Sequence, residues 1–368
     1  MKSNKAFNKE KRRPGVNFIA KKSAVRAAAA AVLLSLLIIT YTGCGDKEPV
    51  SDTRFCLDTA CEIKIYDMDK GNAEKIIDDA FAQIIEYENM LSKTVEGSDV
   101  YRINNAKGNA VEVSEDTAEL ISEGMDMGKL SEGAFDITIG RLTDLWNFKS
   151  DSPELPSEED INEALVTVDY RQIETEEDKN GRYTVKLKNP EAKLDLGGIA
   201  KGRIADKTEE FLEKNGVEHA IINLGGNIVV IGEKEKGTPW NIGIERPYSD
   251  RTEIIGSLEV VDATVVTSGI YERMFEKDGR LYHHVIDSDT GYPAETDLEA
   301  VTIVATKGNS GFCDGLSTIC LMIGKEKALD LVEELQREHP TMKLEAAFTD
   351  KNDDTTKTDG MKISFAED

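Results

Sequence analysis

The sequence predicts an α+β fold in one compact body, and three observations lead there. Segments with strand-like and helix-like periodicity follow one another irregularly, without the βαβ rhythm of a doubly wound parallel sheet. Of 368 residues, 39% are hydrophobic and 31% charged, which supports a sizeable core and excludes a disordered or polytopic membrane chain. No internal repeat or low-complexity stretch points to a fibre or an array.

The elements follow in order. Arg54 to Tyr66 alternates in polarity, with Cys61, Ile63 and Ile65 on one side, as a strand does. Asn72 to Leu91 has helical spacing (Ile76, Ile77, Ala80, Phe81, Ile84, Ile85), and Ser114 to Leu130 gives a second helix with Ser114 and Thr117 near its start. An acidic loop from Asp151 leads into a short helix near Glu163, and Val166 to Leu194 reads as short strands turning at Asn180-Gly181. Ile199 to Asn215 is a third helix, closed by Gly216. Ala220–Asn223 and Ile228–Ile231 form a hairpin through Leu224-Gly225-Gly226-Asn227. Strands are expected at Trp240–Glu245, Glu253–Val260, Ala263–Thr267 and Val301–Thr306. Helices at Asp314–Ile323 and Lys325–Glu338 precede a last pair of strands.

Residues 1–43 read as a leader: nine basic side chains against one acid, then the apolar run Ala27 to Ile39, too short to span a bilayer and right for a signal sequence. Tyr41-Thr42-Gly43-Cys44 resembles the lipobox of bacterial lipoproteins. The resemblance implies cleavage, a lipid on Cys44 that anchors the chain to the membrane, a linker over 44–53, and a working domain over 54–368 on the outer face of the cytoplasmic membrane. Without the leader, 36 basic and 69 acidic side chains remain, a net charge of −33. Such a surface argues against nucleic acid, and any phosphate-bearing ligand needs a local counter-charge. Cys56, Cys61, Cys313 and Cys320 fit either disulfides or buried thiols and lack metal-site spacing.

Several short segments carry chemistry-bearing residues. In Asp195-Leu-Gly-Gly-Ile-Ala-Lys-Gly a strand ends, two glycines follow, and a helix begins with Lys201 in its first turn. That pattern suits either a tight turn or a phosphate cradle. Phe135-Asp136 fits a core aromatic beside a carboxylate, or a contact to a heterocycle. His283-His284 on a strand can turn only one imidazole toward a given site, as a base or simply as a packed histidine. Asp314 and Thr318 share one helix face at spacing i, i+4; they suit a helix cap or a hard-oxygen site for Mg²⁺.

Taken in order, Phe135-Asp136 ahead of Trp146, the Asp195–Gly202 segment, Asn223-Leu-Gly-Gly-Asn, Thr267-Ser-Gly, His284-Val-Ile-Asp287 with Thr290-Gly-Tyr-Pro, and Asp314-Gly-Leu-Ser-Thr resemble the ApbE family of bacterial flavin transferases. The resemblance runs from about residue 54 to about 335 and implies a T-fold-related body of mixed, mainly antiparallel sheets with flanking helices. It implies Mg²⁺-dependent transfer of FMN from FAD to a Thr or Ser hydroxyl of an acceptor protein, with release of AMP. Some members of the family also hydrolyse FAD to FMN and AMP. Acceptors would be subunits of membrane redox pumps or other exported flavoproteins. By the same resemblance, Ala134, Phe135, Asp136, Asp195, Lys201 and His284 would contact FAD. Gly198 (through its carbonyl), Asp314 and Thr318 would hold Mg²⁺. His284 and Asp314 would be catalytic. One departure stands on the first strand, where Leu57-Asp58-Thr59 replaces the usual Met-Gly-Thr.

Overall fold

Eight antiparallel strands, in the order Val50–Cys56, Thr59–Ile65, Ala220–Leu224, Asn227–Ile231, Ala263–Gly269, Leu298–Thr306, Glu345–Asp350 and Thr355–Lys357, form the sheet on which the other elements are hung. The computed structural model describes residues 48–150, 152–249 and 253–366; the leader and Cys44 lie outside the described residues. In chain order the elements are β1 (Val50–Cys56), β2 (Thr59–Ile65), α1 (Lys70–Leu91), α2 (Asp99–Asn104), β3 (Val111–Val113), α3 (Glu115–Leu130), α4 (Gly140–Trp146), α5 (Glu158–Leu165), β4 (Ile173–Glu177), β5 (Tyr183–Leu187), α6 (Ala200–Lys214), β6 (Ala220–Leu224), β7 (Asn227–Ile231) and β8 (Trp240–Glu245). There follow β9 (Ile254–Val260), β10 (Ala263–Gly269), β11 (Met274–Lys277), β12 (Arg280–His283), β13 (Leu298–Thr306), α7 (Ser310–Ile323), α8 (Lys325–Glu338), β14 (Glu345–Asp350), β15 (Thr355–Lys357) and β16 (Ile363–Phe365).

The central strands are buried on both faces, so their apolar runs are nearly continuous. On one face Ile222, Leu224 and Val229 pack with α1, α3 and α6, while Val266, Val301 and Ile303 pack with α7 and α8. On the other, Val230 and Val265 meet Trp240, Ile242 and Leu258 of the small sheet β16-β9-β8. The α+β reading and the antiparallel pairing hold throughout the large sheet.

Three local expectations change. The run expected as one strand from Arg54 is a hairpin that begins at Val50, so residues 50–53 belong to β1 rather than to a linker. It folds at Leu57 and Asp58, both at positive φ (53° and 59°), without the glycine or asparagine that advertises such a turn. The helix expected from Asp314 starts at Ser310, because Gly311 and Ser310 weaken the helical signal of the first turn. Asp314 is therefore buried in the second turn and is not the cap of its own helix. The hairpin β11–β12, folded at Asp278-Gly279, is a further element: the sequence reading put His283-His284 on a strand but not its partner β11 or the turn, and the strand ends at His283.

That hairpin and the loop after it are held by aromatic packing. Trp146, Phe148, Phe275, Tyr282 and Tyr292 form one cluster, and Trp146 Nε1 donates to the Gly291 carbonyl at 2.8 Å. Ser288 Oγ ties the same loop to the carbonyls of Gly133 and Ala134. We expect Trp146→Phe, which keeps an aromatic ring but leaves the Gly291 carbonyl unpaired, to lower stability by about 1–3 kcal/mol in urea unfolding. An unchanged midpoint would show that the bond does not anchor the loop.

Candidate active site

The N-termini of two helices, α6 and α7, meet. The first turn of α6 has no side-chain cap of its own, since Ile199 occupies the cap position, and α7 likewise gains no side-chain bond from Asn309. Each helix takes its cap from the other. Asp314 Oδ2, on α7, accepts the Gly202 amide of α6 at 2.9 Å. Asp206, on α6, accepts the amides of Ser310 and Gly311 at 2.8 Å each. Contact this close requires glycine at position 202: a Cβ there would overlap the Ser310 carbonyl and lie 2.8 Å from the Asp314 Cβ. Glu209 adds a bond to the Gly308 amide at 2.8 Å.

This crossing brings the expected oxygen donors together. Asp314 is 2% exposed, and Thr318, one turn on, donates back to the Asp314 carbonyl at 3.2 Å. Gly198 lies beneath Thr318 and the Phe135 ring, so that a Cβ on it would sit 3.9 Å from Thr318 Oγ1 and 2.9 Å from the ring. Burial raises the Asp314 carboxyl above its ordinary value, and Lys201, the Gly202 amide and Asn227 offset this only in part. A carboxylate, a hydroxyl and a backbone carbonyl are hard donors that fit Mg²⁺ and do not fit zinc. Among the described residues no three His, Cys, Asp or Glu side chains form a metal cluster. A cation here would therefore take its remaining ligands from phosphate oxygens or water, as Mg²⁺ commonly does.

His284 follows β12 and is partly exposed, whereas His283 is buried against the body, so one imidazole of the pair faces the site. The ring Nδ1 of His284 lies 3.2 Å from the Arg273 carbonyl. A proton on Nδ1 makes that bond and leaves Nε2 as an acceptor. Burial, Arg273 and Lys201 together lower the His284 pKa to about 4, which keeps the ring neutral near pH 7. Arg273 and Lys149 in turn pair with Asp58, whose negative charge thus enters the site held by two cations.

The other expected ligand residues are arranged as follows. Phe135 is buried against Gly198, and Ala134 is partly exposed in the turn before it. Asp136 is buried with both carboxylate oxygens occupied: Oδ1 by the amide and hydroxyl of Thr138 (2.7 and 2.6 Å), Oδ2 by the Tyr170 amide (2.8 Å). Asp195, 22% exposed at its side chain, accepts the Gly197 amide at 2.9 Å and the Thr143 hydroxyl at 2.7 Å. Lys93 lies 2.9 Å from the same carboxylate. Burial pushes Asp195 up, but Lys93, Thr143 and the Gly197 amide outweigh it and hold the carboxyl below its ordinary range.

Sequence reasoning missed Lys93, Thr143, Asp206 and Asn227 as parts of this arrangement. The missing side-chain caps on α6 and α7 were the one signal that could have pointed to Asp206. Burial raises Asp206 to about 6 and Glu209, also beside Asp206, to about 7. Folded values above the unfolded range of about 4 mean that these acids favour the fold when protonated. Their contribution is complete below about pH 4 and is lost as pH rises through 6 and 7. We expect the melting temperature to fall from pH 5 to pH 8, with a shallower fall for Glu209→Gln; parallel curves for the two proteins would exclude this source.

The pattern of the ApbE family matches residues 57–342. A FAD:protein FMN transferase of Klebsiella pneumoniae is 34% identical over 305 residues, covering 83% of this chain and 90% of that relative. One of Treponema pallidum is 32% identical over 334 residues, covering 87% and 91%. Among solved structures, the ApbE protein of Thermotoga maritima superposes with a TM-score of 0.74 at 33% identity, covering 85% of this chain and 97% of that one. The flavin transferase ApbE of Vibrio cholerae gives 0.72 at 25% identity, covering 87% and 98%.

Proposed function

The chain belongs to the ApbE family and is a transferase of that family, and we propose that it moves FMN from FAD to a Thr or Ser hydroxyl of an acceptor protein, with Mg²⁺, releasing AMP. The observation that supports this reading is that Asp314 lies against the N-terminus of α6 with Thr318 and Gly198 close by, and with Lys201 within electrostatic reach of both Asp314 and His284. The Gly198 carbonyl, the Asp314 carboxylate and the Thr318 hydroxyl would hold Mg²⁺. When bound, the cation supplies charge neutralisation and Lewis acidity at the diphosphate.

The chain's own groups do the rest. Lys201, in the first turn of α6, lies within electrostatic reach of Asp314 and His284 and would bind the diphosphate together with the helix-end field. Phe135 and Ala134 would line the flavin nucleotide, with Asp136 fixing their segment through Thr138 and Tyr170. Asp195 shapes the Gly197-Gly198 turn through its bond to the Gly197 amide, and would meet FAD from there. His284 Nε2, neutral and unprotonated, would take the proton of the acceptor hydroxyl. The hydroxyl oxygen would then attack the phosphorus on the FMN side, the bond between the two phosphates would break, and AMP would leave. The acceptor would be an exported flavoprotein, such as a subunit of a membrane redox pump, reached from an anchor at Cys44 on the outer face of the cytoplasmic membrane.

Purified protein incubated with FAD, Mg²⁺ and an acceptor tests the reading. Flavin fluorescence on the acceptor band supports transfer; FMN and AMP without labelled acceptor point to hydrolysis, and intact FAD to binding alone. We expect Asp314→Ala to abolish labelling, and full labelling at saturating Mg²⁺ would remove Asp314 from the cation site. We expect His284→Ala to keep FAD binding and lose about 10²–10⁴ in turnover. In the unaltered protein the acid limb of kcat/KM should lie well below the usual histidine value of about 6.5. A limb at that value would contradict His284 as the base.

A further inference from the structure

Asn227 opens β7 directly after the Gly225-Gly226 turn. Its side chain is 0% exposed, and neither amide atom reaches a partner at hydrogen-bond geometry. It pairs in register with Val266 of β10, which lies in the core packed against α7, and so shares the sheet face on which that helix sits. Two and four residues on, Val229 and Ile231 continue the same face as core. A leucine would extend that apolar stripe; an amide interrupts it. Buried polar groups without partners are rare in native proteins, and each that persists calls for a reason, a bound ion among them. Among the described residues, Asp314 of that helix is a functional side chain within reach of the Asn227 amide.

We propose that Asn227 is a further residue of the cation site, its amide N–H steadying the Asp314 carboxylate and its Oδ1 adding a neutral oxygen to those of Gly198, Asp314 and Thr318. The inference rests on the reading of those three residues as the cation site. Asn227 suits that place chemically. Its oxygen is a hard donor of the kind Mg²⁺ prefers, and it adds no charge to a pocket that already holds a buried carboxylate. Its position at the end of a two-glycine turn, at the edge of the large sheet's core, gives it a fixed backbone from which to act.

Mn²⁺ binding, followed by the paramagnetic resonance signal of the free ion in the presence of ADP, tests the proposal without relying on turnover. It is measured on the full chain, on Asn227→Leu and on Asn227→Asp. We expect the unaltered protein to bind Mn²⁺, Asn227→Leu to bind it at least tenfold more weakly with a melting curve that shows an intact fold, and Asn227→Asp to bind it as tightly or more tightly. Equal binding by Asn227→Leu and the unaltered protein would overturn the role of Asn227 and leave the cation site standing. No binding by the unaltered protein would overturn both. If Asn227→Leu does not fold, Asn227→Asp decides: retained binding supports the oxygen's role, and a tenfold loss overturns it.

Discussion

The exchange of carboxylates between α6 and α7 is the interaction on which the rest of the site depends. Asp314 satisfies an end of α6 and Asp206 satisfies the end of α7, so neither helix can withdraw without exposing the amides of the other. A side-chain cap is worth about 1 kcal/mol on an isolated helix. Here the caps also set the position of chemistry, because Asp314 is at once a cap of α6 and the one carboxylate among the expected cation ligands. Gly202 makes the arrangement possible by letting the two backbones approach where any side chain would collide. The site's geometry is thus built into the packing of the core and does not hang on a loop.

Charge is managed around that crossing. The chain is strongly acidic, yet the site draws in cations from several directions. Lys93 holds Asp195 ionised, Lys149 and Arg273 hold Asp58, and burial together with Arg273 and Lys201 keeps His284 neutral. Asp58 stands where relatives of this family carry glycine by the sequence resemblance. At a φ of 59° an aspartate tolerates the left-handed turn, and its charge is absorbed by the Arg273 and Lys149 pairs. A neutral imidazole beside two cations is suited to accepting a proton only once an anionic substrate has arrived to balance them. That condition ties base chemistry to substrate binding through simple electrostatics.

Much of this was legible in the sequence where the information is local. The Gly-Gly-helix passage at Asp195–Gly202 and the shared helix face of Asp314 and Thr318 lie where the sequence put them, because each depends on spacing within a few residues; the strand expected to end at Asp195 does not form, Lys193 making only an isolated bridge to Ile139. The hairpin at Leu57-Asp58 was hidden because its positive φ values fall on a leucine and an aspartate with no glycine or asparagine beside them. The true start of α7 was hidden by Gly311. The reciprocal caps were beyond reach for another reason: Gly202 and Asp314 are 112 positions apart, and Asp206 and Ser310 are 104. Lys93 reaches Asp195 in the same way, across elements that no periodicity links.

Oxygen donors gathered at the α6–α7 crossing would grip a diphosphate through a divalent cation. The most direct measurement is the rate of AMP release from FAD by protein stripped with EDTA, before and after Mg²⁺ is restored in excess. The account predicts no release above background from the stripped protein and full recovery with Mg²⁺. Release at the untreated rate without the cation would contradict it.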